Sequence, residues 1–133
     1  LIWCLGLGCG PSSTEIEFMH LIKETQEKHR AVDIRNAALS LFQSNRLRDK
    51  TDLLIAPAPI ASLPLFAGEG STIMIAGIGD KTGETRGVVF LTGSGFGHWG
   101  LAVCPFGDGS NVVRALHGKV IPWEEGVFFF LER

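Results

Sequence analysis

The sequence predicts an α+β domain in which an N-terminal helix or helix pair packs on one face of an antiparallel sheet of about five strands. Three observations predict it. From Thr14 to Lys50 the chain holds neither glycine nor proline. From Ser71 onward it breaks into short runs of β-branched and aromatic residues. The links between those runs are short and rich in turn formers, which favours antiparallel neighbours because parallel pairing needs a long crossover.

Taken in order, "TEIE" at 14–17 supplies a capping box, with Thr14 as N-cap and Glu17 reaching back to the free amide, and Ser12 with Glu15 offers the same device earlier. Phe18, Met19, Ile22 and Gln26 trace one helical face, and Ile34, Ala37, Ala38, Leu41 and Phe42 repeat the stripe. Between them "TQEKHR" is polar on every side. The helical stretch 14–50 is therefore one helix with an exposed middle or, as we favour, two that meet near Val32 and Asp33, with Asp33 capping the second. In the connector 51–70, the prolines make Pro57 to Pro64 extended. Strands are expected at "STIMIAGI" (71–78), "RGVVFLT" (86–92), "HWGLAVC" (98–104), "NVVRAL" (111–116) and "GVFFFLE" (126–132). Unpaired, the run "VFFFL" is an adhesive sheet edge through which copies could pair.

A chain of 133 residues with 45% hydrophobic residues can bury an ordinary core and is too short for two conventional domains, so 14–133 reads as one domain. The 12 basic and 14 acidic side chains leave a net charge of -2, with no electrostatic footprint for nucleic acid and no polybasic signal for anionic lipid. The one basic cluster, "RLRDK" at 46–50, has Asp49 inside it and reads as a solvated helix end.

Residues 1–13 form a signal-like apolar segment and spacer. The run from Leu1 to Gly10 is about half of what a bilayer span needs and suits the hydrophobic middle of a secretory signal. "LGLGC" at 5–9 resembles the end of a bacterial lipoprotein signal peptide, where small residues precede a cysteine that receives lipid, with Gly6 where that pattern usually has a branched aliphatic residue. "GPSST" follows as a flexible polar spacer. The resemblance implies lipidation of Cys9 and a bacterial cell-envelope address, the acyl chains burying methylenes at about 0.8 kcal/mol each. The alternative is that Leu1 to Leu7 is a core strand, which leaves the chain cytoplasmic. With Cys4 removed and Cys9 lipidated, Cys104 stands alone without a disulfide, and three cysteines without C-x-x-C spacing do not make a zinc site, so no structural metal or cofactor is expected.

The stretch "GSGFGHWGLAVC" (93–104) carries the chemistry-bearing residues. In a strand, His98, Gly100, Ala102 and Cys104 share one face, while Trp99, Leu101 and Val103 point to the core. His98 and Cys104 resemble a base and a thiol nucleophile, yet a rise of about 3.3 Å per residue sets them roughly 20 Å apart where about 3 Å is needed. Ser94 in "TGSGF" lacks the G-x-S-x-G spacing of a nucleophile elbow, and "AGIGDKTGETRG" has Asp80 and Ile75 where a phosphate loop requires glycines. His98 remains as a residue that binds a ligand, joins His117 on a metal, or hydrogen-bonds a loop carbonyl, and Trp99 flanks it. Trp123 in "IPWEEG" is a contact anchor or a ring folded over the core edge. His20 and His29, nine apart, share no metal-binding helical face and are expected in solvent. Two functions follow: an exported, lipid-anchored domain that binds or supports without chemistry, or a hydrolase or metal-dependent enzyme built on His98 with His117, Cys104 or Asp108 as helpers.

Overall fold

The structure is a computed structural model, and it describes residues 13–43, 55–66, 73–79, 85–92, 99–106 and 118–132. Two helices, α1 (Ser13–Lys28) and α2 (Ala31–Gln43), are followed by a short helix α3 (Ala58–Ala61) and a 3₁₀ turn (Pro64–Phe66). Five strands come next: β1 (Ile73–Gly79), β2 (Thr85–Thr92), β3 (Trp99–Val103), β4 (Gly118–Pro122) and β5 (Val127–Glu132). They form one antiparallel sheet in the order β1-β2-β3-β5-β4. The α+β architecture is the one expected. No described helix is long and apolar enough to cross a membrane.

The helical stretch is two helices. Glu24 and Lys28 pair at 2.7 Å on the exposed side of α1, with the acid N-terminal to the base as the dipole prefers, though an exposed pair of this kind contributes little. The break lies at His29 and Arg30, before the expected Val32 and Asp33. The Arg30 carbonyl accepts the first amides of α2, from Asp33 and Ile34, so Asp33 sits inside the first turn and does not cap. Likewise α1 begins at Ser13, which moves Thr14 from the N-cap into the helix and places Glu15 in the first turn, where its charge complements the macrodipole. The buried face of α1 is Phe18, Ile22 and Thr25, whereas Met19 and Gln26 are exposed. Thr25 tolerates burial because its hydroxyl donates to the Leu21 carbonyl at 2.7 Å.

Pro57 to Pro64 is not extended. Pro57 and Pro59 begin a helical turn, where a missing amide costs nothing, and the Pro57 carbonyl accepts from Ile60 and Ala61. What drives the compaction is burial: Ile60, Leu63, Leu65 and Phe66 are at most 2% exposed, and each such side chain contributes about 1.5–3 kcal/mol.

Register fixes the two faces of the sheet. Ile75, Phe90, Leu101, Phe129 and Ile121 align across all five strands on the face that meets Phe18, Ile22, Ile34, Ala38 and Leu41. The opposite face is apolar as well, with Met74, Leu91, Gly100, Phe130 and Val120 in one row. β4 occupies "GKVIP", part of the stretch expected to be a link, and the strand expected at 111–116 lies outside the described residues, as does 46–50. The run "VFFFL" is no edge: β5 pairs on one side with β3 and on the other with β4.

Gly100 is required by close approach. A Cβ there would overlap the Phe90 carbonyl oxygen of the neighbouring strand, a backbone atom that cannot swing aside. Gly100→Ala is therefore expected to lower the unfolding free energy by about 3 kcal/mol, through a shift of the β2–β3 pairing. Urea titration followed by circular dichroism checks this, and an unchanged midpoint would contradict it.

Candidate functional site

Of the residues singled out in the sequence, Trp99, Cys104 and Trp123 fall within the described residues, while Cys9, Ser94, His98, Asp108 and His117 lie outside them. Trp99 opens β3 with its side chain on the helix-facing side, as expected. Its indole N–H donates to the Leu65 carbonyl at 2.8 Å, and its ring stacks on Phe18 with centroids 6.2 Å apart. The Thr92 hydroxyl both donates to the Trp99 carbonyl, at 3.2 Å, and accepts the Trp99 amide, at 3.3 Å. Trp99 is thus committed to the fold, and it also lines a surface hollow of about 580 Å³ with Glu17, Leu21, Glu24 and Pro64.

Cys104 follows β3 on the opposite face. Its amide donates to the Gly126 carbonyl at 2.8 Å, and its thiol is free, 1% exposed and pushed up by burial to about 11. A thiolate is the nucleophilic form, so this environment suits a structural cysteine and not a nucleophile. Among the described residues no group of three or more His, Cys, Asp or Glu is placed to hold a metal.

Trp123 is where an open, polar site lies. Strands β4 and β5 are joined by a tight turn: the Val127 amide donates to the Glu124 carbonyl and the Trp123 amide to the Val127 carbonyl, each at 2.9 Å, and Glu125 and Gly126 take φ of 55° and 78°. Trp123 precedes this turn. One face of its ring stacks on Phe129, centroids 5.3 Å apart and planes 22° from parallel. The ring also borders a hollow of about 390 Å³, whose other walls include Gln26, His29 and Arg30 at the α1–α2 break, and Glu124 and Glu125 in the turn. Trp123 therefore closes the core edge, one of the two readings the sequence allowed, with its ring half-buried.

His29, half-buried, lines both hollows; His20 is exposed as expected. Glu124 and Glu125 were anticipated only as neighbours of Trp123, and the contributions of His29 and Arg30 were not anticipated. The signal was present in "TQEKHR", which has no apolar face for a helix to bury, and in "WEEG", which ends a strand with a residue pair poorly suited to a turn.

Glu125 is that misfit. A charged L-residue in the left-handed region costs about 1–2 kcal/mol, and Gly or Asn is favoured there. Compared with protein-family models, with curated proteins and with solved structures, the chain matches none.

Burial of Cys104 makes a pH prediction with a definite sign. Its folded pKa of about 11 exceeds the ordinary 9.0, so between those values the folded chain holds the proton more tightly than the unfolded one. Stability is fully present below pH 9 and falls as pH rises through this window, at up to about 1.4 kcal/mol per unit. Urea titrations of the wild type and Cys104→Ala should converge over this range, and parallel curves would contradict it. Native Cys104 should also resist Ellman's reagent until denaturant is added.

Proposed function

We propose that the chain is a lipid-anchored bacterial envelope domain that binds through the Trp123 hollow and performs no chemistry. The observation that carries the binding role is Glu125. Its left-handed backbone is unfavourable for glutamate, and strain of this kind is retained where the side chain serves a site. Here Glu125 lines one hollow together with Glu124, Trp123, His29 and Arg30. Such a site suits a peptide or small polar ligand carrying both charges, its aliphatic or cationic portion laid on the indole.

The anchoring reading is supported by the apolar run that ends in "LGLGC" and by the short polar stretch before α1. Acyl chains on Cys9 would hold the domain at a membrane surface by methylene burial. Burial of Cys104 speaks against the alternative of a thiol enzyme paired with His98.

Mass spectrometry of the full precursor made in bacterial cells tests the anchor. The expected product begins at an acylated Cys9, and an intact, unmodified Cys9 would end the reading. For the hollow, NMR titration with a short peptide holding lysine and glutamate should shift the amides of His29, Arg30 and Trp123 to Gly126, and Glu124→Gln with Glu125→Gln should abolish the response. A wild type that shows no response there refutes this site. Glu125→Asn should raise the unfolding free energy by about 1 kcal/mol while weakening that response, the pattern of strain kept for binding. Thermal unfolding and the same titration read both effects.

A further inference from the structure

The two edges of the sheet are unlike. β4, at one edge, is five residues long, ends in Pro122 and turns Lys119 toward the helices, where its ammonium meets Glu15 at 2.8 Å. A short strand, a proline and an inward charge are devices that keep other strands from adding to an edge. β1, at the other edge, has none of them within it. Its seven residues, "IMIAGIG", include no charge and no proline, and its one departure from regular pairing is a bulge at the last step, between Ile78 and Gly79. Among the described residues it pairs only with β2. Met74 is 59% exposed, and Ala76 and Gly77 are exposed.

We propose that β1 is a self-association edge, on which two copies of the chain pair antiparallel about a twofold axis at Ala76 and join their sheets into one. The size pattern of the strand selects a second copy as the occupant. With Ala76 opposite itself, Met74 meets Ile78 of the other copy on the outer face, and Ile75 meets Gly77 on the inner face, a bulky residue against a gap. Ile73 meets Gly79 in the same way. Each contact occurs twice, as an isologous interface requires. Charge agrees: with no ionisable side chain in β1, self-pairing opposes no like charges, while a charged partner strand finds no counter-charge. Apolar surface is continuous across the join, because Met74 and Ile78 share the outer face with Val89, Leu91 and Phe128.

Register-specific cross-linking tests this, with Cys4 and Cys9 replaced by serine. Directly opposed residues in an antiparallel pair have Cα atoms about 4.5–5.5 Å apart, within disulfide reach. On mild oxidation A76C should form a covalent dimer roughly tenfold faster than M74C, whose thiol faces position 78 of the other copy, and adding I78C to M74C should restore fast cross-linking. Sedimentation of the unmodified chain should give a dimer mass in the micromolar range, and A76K a monomer with an unchanged circular dichroism spectrum. A monomeric wild type, or equal rates for A76C and M74C, overturns the proposal. The cross-linking arm decides if A76K fails to fold. Because β1 is remote in sequence from the Trp123 turn, dimerisation and ligand response can fail independently.

Discussion

The indole of Trp99 is the point on which the layers of this domain depend. Its N–H ties β3 to the Leu65 carbonyl of the connector, and its ring lies on Phe18 of α1. Its backbone is held by the Thr92 hydroxyl at the end of β2. The hydrogen bond contributes about 1 kcal/mol net and the ring pair about as much again. Their larger effect is geometric, since three segments distant in sequence are set against one another. Leu101 and Val103 then fall on the helix-facing side by the period of the strand, and the core follows.

The same period loads the other face of β3 with Gly100, Ala102 and Cys104, all buried. Small residues there let Leu91 and Phe130 flank the strand from either side, and the close passage of the Phe90 backbone leaves no room for more. A strand apolar on both faces is a poor place for a nucleophile. The thiol of Cys104 is held protonated by the surroundings that hold the sheet together, and the polar, open surface lies instead where helices and hairpin end, around Trp123.

Much of this was legible in the residues. Alternation around Trp99, Leu101 and Val103 identified the core side of β3, and the absence of breakers identified the helices. The errors share a cause: local patterns do not show what an element packs against. Met19 and Gln26 fit a helical stripe as well as Phe18 and Ile22 do, but the chain rotates α1 to bury Leu21 in part and Thr25 fully, the latter possible because a hydroxyl can bond its own helix. "GKVIP" reads as a link because its glycine, lysine and proline are turn and surface residues, which are also what an edge strand uses. Pro57 to Pro64 reads as extended, until four apolar side chains find a core to enter. The hollow is assembled from a helix break and a turn roughly a hundred residues apart, a proximity that sequence spacing does not contain.

The position of β5 has a consequence for how the chain matures. The last of the five described strands occupies an interior slot, bonded to β3 on one side and β4 on the other. Of the described strands, those of a growing chain that has reached Pro122 leave β3 with one border open and β4 without a paired strand. Phe129 and Leu131, which seal α1 and α2 against the sheet, are made after the four other described strands. The sheet therefore closes only once β5 has been made, its keystone coming after the two strands it joins.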